Sequence, residues 1–137
     1  MKKYKFIEDL TSDVMFEAYG KDLKEVFENA AEALFTVICQ TKKVKHNITK
    51  DIVIEAEDVR ELMINWLQEL IARVDIEHLF FSKTEIQEIS ETKLNAKVYG
   101  DKAKPELGET VVKAVTYYEF KFEKTDKGYV ARVSLDI

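Results

Sequence analysis

Hydrophobic positions recur along this chain with two different periods, and the change from one to the other lays out its elements. At the start, "YKFIED" and "DVMFEAYG" alternate apolar and polar side chains. A period of two predicts two short strands, or one strand interrupted around Leu10 to Ser12. From Asp22 the period lengthens. Leu23, Val26, Phe27, Ala30, Ala31, Leu34, Phe35 and Ile38 fall at intervals of three and four in "DLKEVFENAAEALFTVICQ", the signature of an amphipathic helix. Asp22 followed by Glu25 has the form of a capping box, and the basic run "TKKVKHN" is expected to close the helix at its negative end. The same grammar then repeats: "DIVIEAED" alternates as a strand, and Asp58 with Glu61 opens a helix carrying Leu62, Met63, Trp66, Leu67, Leu70, Ile71 and Val74.

The remainder alternates. "HLFFSKTEIQEIS", "KLNAKVYG", "VVKAVTYYEFKFEK" and "YVARVSLDI" read as strands, with turns at Glu91 to Lys93 and at "TDKG". Two apolar helix stripes need a partner surface. The pattern therefore predicts a single α+β domain over residues 1–137, a largely antiparallel or mixed sheet packed by two amphipathic helices. The polar stretch from Asp101 to Thr110, which holds the one proline, Pro105, reads as a surface loop within that domain. In "VVKAVTYYEF" a strict alternation puts Lys113 on one face between Val111 and Val115. An ammonium there asks for a reason.

Composition narrows the function. With 137 residues and 46% hydrophobic content the chain can bury one sizeable core. A net charge of −5 disfavours direct binding of nucleic acid by phosphate neutralisation and leaves room only for a local patch, so RNA is expected to be reached indirectly. No stretch approaches a membrane span, and the expected setting is the cytoplasm. The lone Cys39, four residues from Phe35 on the helical stripe, reads as a small buried hydrophobe.

No GxGxxG, GxxxxGK[ST], GxSxG, HExxH or paired CxxC occurs. His46 and His78 follow the two helices and read as helix caps or solvated side chains, although Asp75 and Glu77 beside His78 give a weak cation signal. Three acids are of more interest. Asp13 precedes a strand, Asp136 closes the last one, and Glu69 lies between Trp66 and Arg73, where an i,i+4 pair with Arg73 is its ordinary role.

The segments "TSDVMFEAYGKDLKEVFENAAEALF", "EDVRELMINWLQEL" and "VKAVTYYEF" and the terminal "LDI" resemble, in order, the archease family, from about Tyr4 to Ile137. The resemblance implies a protein cofactor and not a stand-alone enzyme. It would serve an RtcB-type tRNA-splicing ligase by promoting the ligase's guanylylation and turnover, or modulate a tRNA methyltransferase in a chaperone-like way. It also implies a metal site built from Asp13 and Asp136, with Lys113 matching the lysine of the family's "VKA" strand.

The family's histidines are absent. Leu10 stands before Thr-Ser-Asp, Glu106 or Leu107 stands upstream of the "VKA" strand, and Tyr118 follows Thr-Tyr. Ligation by Asp13 and Asp136, joined by Glu106 or the terminal carboxylate of Ile137, would be through oxygen alone and would favour Mg²⁺ or Ca²⁺ over Zn²⁺. Lys113 would neutralise the paired carboxylates when the metal is absent, meet a phosphate that a partner brings, or simply snorkel from a half-exposed face, and Glu69 is a further candidate for the site. The acidic surface suits a basic partner that itself binds RNA. The rival readings are a metal-dependent hydrolase using the same acids and a binding module in which they are incidental.

Overall fold

In a computed structural model, which describes residues 2–8 and 13–137, the first alternating stretch becomes two strands, β1 (Tyr4–Ile7) and β2 (Val14–Gly20). The connection placed around Leu10 to Ser12 lies outside the described residues. Helix α1 (Leu23–Ile38) starts where its cap predicts: Asp22 accepts from the Glu25 backbone N–H at 2.9 Å. Glu25 in return accepts from the Lys21 N–H at 3.3 Å, one residue before the usual capping-box partner. Helix α2 (Val59–Glu77) repeats this with Asp58, Glu61 and Glu57 at 2.9 and 3.2 Å. It ends at His78, which takes the left-handed conformation of a C-cap (φ 56°), the helix-end role expected of it. The lysines after α1 do not lie in its last turn. The helix stops at Ile38, and Lys42 and Lys43 form a separate 3₁₀ turn.

The expected single sheet is two. One has the order β1-β2-β7-β6, with β6 at Ala114–Thr125 and β7 at Gly128–Asp136. The other has the order β3-β5-β4, with β3 at Ile48–Glu55, β4 at Leu79–Ile89 and β5 at Lys93–Lys102. Every pairing is antiparallel. The reason for two sheets lies in the helices. Buried side chains on α1 include Ala30, Ala31, Ala33, Leu34 and Phe35, far more than one stripe, so the helix needs apolar partners on more than one side. Both helices accordingly touch strands of both sheets, around one continuous core that includes Phe16, Phe27, Trp66, Phe81, Leu94 and Val133. No helix among the described residues is long and apolar enough to cross a membrane.

The strand expected from Val111 begins three residues later and is not regular. Residues 111–113 lie outside β6, with Val111 77% exposed and Lys113 exposed, so the lysine is not held between valines on a packed face. Farther along, Thr116 pairs with Ser134 and Lys121 with Arg132. Four residues of β6, Tyr117 to Phe120, thus stand opposite one residue of β7, Val133. This bulge takes Glu119 into the left-handed region (φ 51°) and leaves Tyr117 75% exposed.

Candidate functional site

The register of the four-stranded sheet places the predicted acids. Val14 pairs with Leu135 as the end pair of the β2–β7 ladder, so Asp13 and Asp136 each follow directly beyond that pair, and Ala114 of β6 pairs with Asp136 on its other side. The backbone N–H of Lys113 donates to the Asp136 carbonyl at 2.8 Å. Three positions distant in sequence therefore meet at one end of the sheet, and Lys113 leads into it. On the outer edge of β6, the Val115 N–H points away from β7 and donates to the Gln68 side-chain oxygen at 2.9 Å, which ties α2 to this end.

Along β7 the side chains of Asp136, Ser134 and Arg132 share a face, and their cross-strand neighbours Met15, Thr116 and Glu17 share it too. The opposite face carries Ala131, Val133 and Leu135, all in the core. In the row next to the acids, the hydroxyls of Ser134 and Thr116 are buried and have no hydrogen-bond partner among the described residues. Unpaired buried hydroxyls are costly, and such groups concentrate where a water, ion or ligand completes them.

Two predicted members do not join this cluster. Glu69 bonds Arg73 at 2.8 Å, its ordinary i,i+4 role. Glu106 sits in a 3₁₀ turn (Pro105–Leu107) packed at the C-terminal end of α1, where Gln40 donates to its backbone carbonyl at 3.3 Å. Ile137 follows Asp136 and is 39% exposed. The signal around His78 is absorbed elsewhere, since Glu77 pairs with Lys50 at 2.9 Å and with Arg73 at 3.1 Å. Cys39 is buried. Desolvation, with the Glu109 charge, pushes its thiol up to about 12, which keeps it protonated and unreactive.

Among the described residues no three His, Cys, Asp or Glu side chains are grouped to hold a metal. Two carboxylates with hydroxyl neighbours still fit one class of ion. Mg²⁺ is commonly held by one or two carboxylates, with waters and a partner's phosphate filling the rest, whereas Zn²⁺ asks for imidazole or thiolate.

The sequence reading missed Glu17 and Arg132. They face each other in register, and the guanidinium donates from Nε and Nη2 to Glu17 Oε2 at 3.0 and 2.8 Å. Tyr19 donates to Glu17 Oε1 at 2.9 Å. Burial acts to raise the Glu17 carboxyl, but the Arg132 and Tyr19 hydrogen bonds and the Arg132 and Lys5 charges outweigh it and hold it below the usual 4.5. A carboxyl depressed in the folded state lends stability that is present above its unfolded value and lost as pH falls through the folded one. Melting curves from neutral to acid pH should show wild-type stability falling below about pH 4.5, with a shallower fall in Glu17→Gln. Equal slopes would remove Glu17 from the acid response. The pair was legible in principle, but only once the β2–β7 register was known.

The Archease protein family model matches residues 4–137. Protein archease of Methanosarcina mazei is 39% identical over 142 positions, spanning 99% of this chain and 97% of its own length. Protein archease of Pyrococcus abyssi is 40% identical over 144 positions, spanning the whole of both. The solution structure of Methanobacterium thermoautotrophicum protein 1598 is similar over the full length of both chains, with 37% identity and a TM-score of 0.83. An archease and possible chaperone from Thermotoga maritima, at 18% identity, shares the fold with a TM-score of 0.71 over 100% of this chain and 98% of its own.

Proposed function

The chain belongs to the archease family, and from that premise we propose that it is an accessory protein of an RtcB-type RNA ligase in the cytoplasm, promoting the ligase's guanylylation and turnover. The observation that supports this most directly is the β2–β7 register, whose end pair Val14–Leu135 brings the adjoining Asp13 and Asp136 to one end of the sheet beside the Lys113 backbone. Paired carboxylates at an accessible sheet end can take a hard cation such as Mg²⁺, which would supply positive charge to phosphate oxygens. Asp13 and Asp136 would hold it, and the exposed Lys113 would offset charge there or meet a phosphate that the ligase presents. Docking would draw on the net charge of −5 against a basic, RNA-binding client.

The test is multiple-turnover RNA ligation by such a ligase, with and without this protein. Wild type should stimulate it, and Asp13→Asn and Asp136→Asn should each lower the stimulation at least about tenfold, the scale of removing one charge-assisted contact. Thermal melts matching wild type would show that the substitutions spare the fold. An active ligase that wild type leaves unchanged would sink the proposal. Suppression of client aggregation that survives both substitutions would move the reading to a chaperone-like modulator of a tRNA-modifying enzyme, using exposed apolar groups such as Tyr117 and Val111.

A further inference from the structure

The two sheets have four outer edges, and three of them are blunted. β1 is only four residues long. β6 carries the bulge at Tyr117 to Phe120, and its Val115 amide is taken by Gln68. β4 slips register twice, and its Ile86 amide donates to the Glu28 carboxylate at 2.9 Å. Short length, bulges and side-chain caps of this kind keep a sheet from adding further strands. β3 has none of them. Its eight residues pair with β5 in one unbroken register, from the pair Ile48 and Gly100 to the pair Glu55 and Lys93. Just beyond its end the Ala56 amide donates to the Thr92 carbonyl on the β5 side, so the alternate residues Thr49, Asp51, Val53 and Glu55 turn their N–H and C=O groups outward. The Asn65 side chain of α2 donates to the Glu55 carbonyl at 3.4 Å, as that direction requires. The outward groups of Thr49, Asp51 and Val53 enter no hydrogen bond among the described residues.

Beside this edge lies a groove of about 380 Å³, between residues 53–55 of β3 and a row on one face of α2, Asn65, Gln68, Glu69 and Ala72. A strand edge with a helix alongside suits an extended peptide, whose main chain pairs with the edge while the surroundings read its alternate side chains. The charge of the groove selects among peptides. Glu55 and Glu69 are its charged members, and no lysine, arginine or histidine lines it. On the solvent face of β3, Val53 is 62% exposed and stands between Asp51 and Glu55. Asp51 and Glu69 have cations of their own in Lys97 and Arg73, whereas the Glu55 carboxylate enters no ion pair among the described residues.

We propose that the outer edge of β3 accepts, as an added antiparallel strand, an extended segment of a partner protein in which two basic side chains flank an apolar one at alternate positions. The apolar side chain covers Val53, the basic ones meet Asp51 and Glu55, and the main chain pairs with the free groups of Thr49, Asp51 and Val53. The net charge of −5 favours a basic segment in the same sense. A second copy of this chain is a poorer occupant. Self-pairing of β3 about Val53 opposes Asp51 to Glu55, and self-pairing about Asp51 opposes that residue to itself, and like charges directly opposite are destabilising. The inference rests on the β3 edge alone and holds whichever client the carboxylate end serves.

The experiment is fluorescence anisotropy of a labelled peptide of about nine residues with Lys-Thr-Val-Thr-Lys at its centre, titrated with the full chain up to about 1 mM. Wild type should bind it, and should bind the same peptide with glutamate for both lysines at least about tenfold more weakly. N-methylation of the peptide's valine and lysine amides, which face β3 in this register, should cost at least about tenfold, and N-methylation of its threonine amides less than about twofold. On the protein, Val53→Pro removes an outward N–H that bonds nothing within the chain, at a place where an edge strand accepts proline, and should weaken binding at least about tenfold. Glu55→Lys keeps every backbone group and should weaken it about fivefold. Four outcomes overturn the inference: no binding by wild type at about 1 mM, equal affinity for the lysine and glutamate peptides, equal loss from the two methylation patterns, or a wild-type dimer in sedimentation that Val53→Pro dissolves, which would give the edge to a second copy.

Discussion

Trp66→Ala is expected to cost about 3–5 kcal/mol of folding stability, a large share of the roughly 5–15 kcal/mol that a domain of this kind possesses. Trp66 is fully buried on α2, and its indole N–H donates to the Phe27 carbonyl of α1 at 3.0 Å. Two losses combine. The cavity forfeits the contacts of the largest core side chain, and the Phe27 carbonyl loses a partner in a place water does not reach. Trp66→Phe separates them, because it keeps much of the volume and removes only the donor, so it should cost less than half as much. Urea unfolding measures both through the shift in midpoint at constant slope. A Trp66→Ala cost under about 1 kcal/mol would mean that the two helices are not locked together through this residue.

The helices were legible in the sequence because their information is local. Asp22 and Asp58 cap as their spacing with Glu25 and Glu61 says, and each predicted apolar position from Leu62 to Ile71 is buried. The sheets were half legible. A period of two says that a segment is a strand but not which strand it joins, and here the chain's second strand pairs with its last one. The same gap hid the site. Asp13 and Asp136 are 123 positions apart, and only the β2–β7 register brings them to the same end of the sheet.

Lys113 misled for a related reason. Strict alternation treats "VVKAVTYYEF" as one continuous strand, whereas the Glu109 and Thr110 amides are tied to the last carbonyls of α1 and β6 starts only at Ala114. The bulge at Tyr117 to Phe120 is likewise invisible to a period of two, because three of its four residues are aromatics that suit a strand. It also meets a group from outside the sheet, with Arg60 of α2 set 5.1 Å from the centre of the Phe120 ring.

Gly100→Ala should be among the most damaging substitutions in the chain, although an alanine in a strand is ordinarily favoured over glycine by roughly 0.5–1 kcal/mol. Gly100 lies in β5, the central strand of the three-stranded sheet, between Ile48 of β3 and Phe81 of β4. The β4–β5 register slips between Phe81 and Lys83, which leaves Ser82 unpaired and draws the preceding backbone over Gly100. A Cβ there would overlap the Phe80 carbonyl oxygen and lie 2.9 Å from the Phe80 carbonyl carbon and the Phe81 Cα. These are backbone atoms and cannot turn aside as a side chain would. Relief requires β4 to move, and Phe81, fully buried against Phe35 with ring centres 5.7 Å apart, would move with it. The expected loss is therefore several kcal/mol, about 3 or more by the scale of overpacked cores. Gly108→Ala serves as the comparison. Its Cβ would meet nothing closer than 3.4 Å, and its φ of −73° suits any residue, so it should be tolerated within about 0.5 kcal/mol. Thermal melts of the two variants decide the matter: a Gly100→Ala protein that melts with wild type would mean that the close approach of β4 to β5 does not occur in solution.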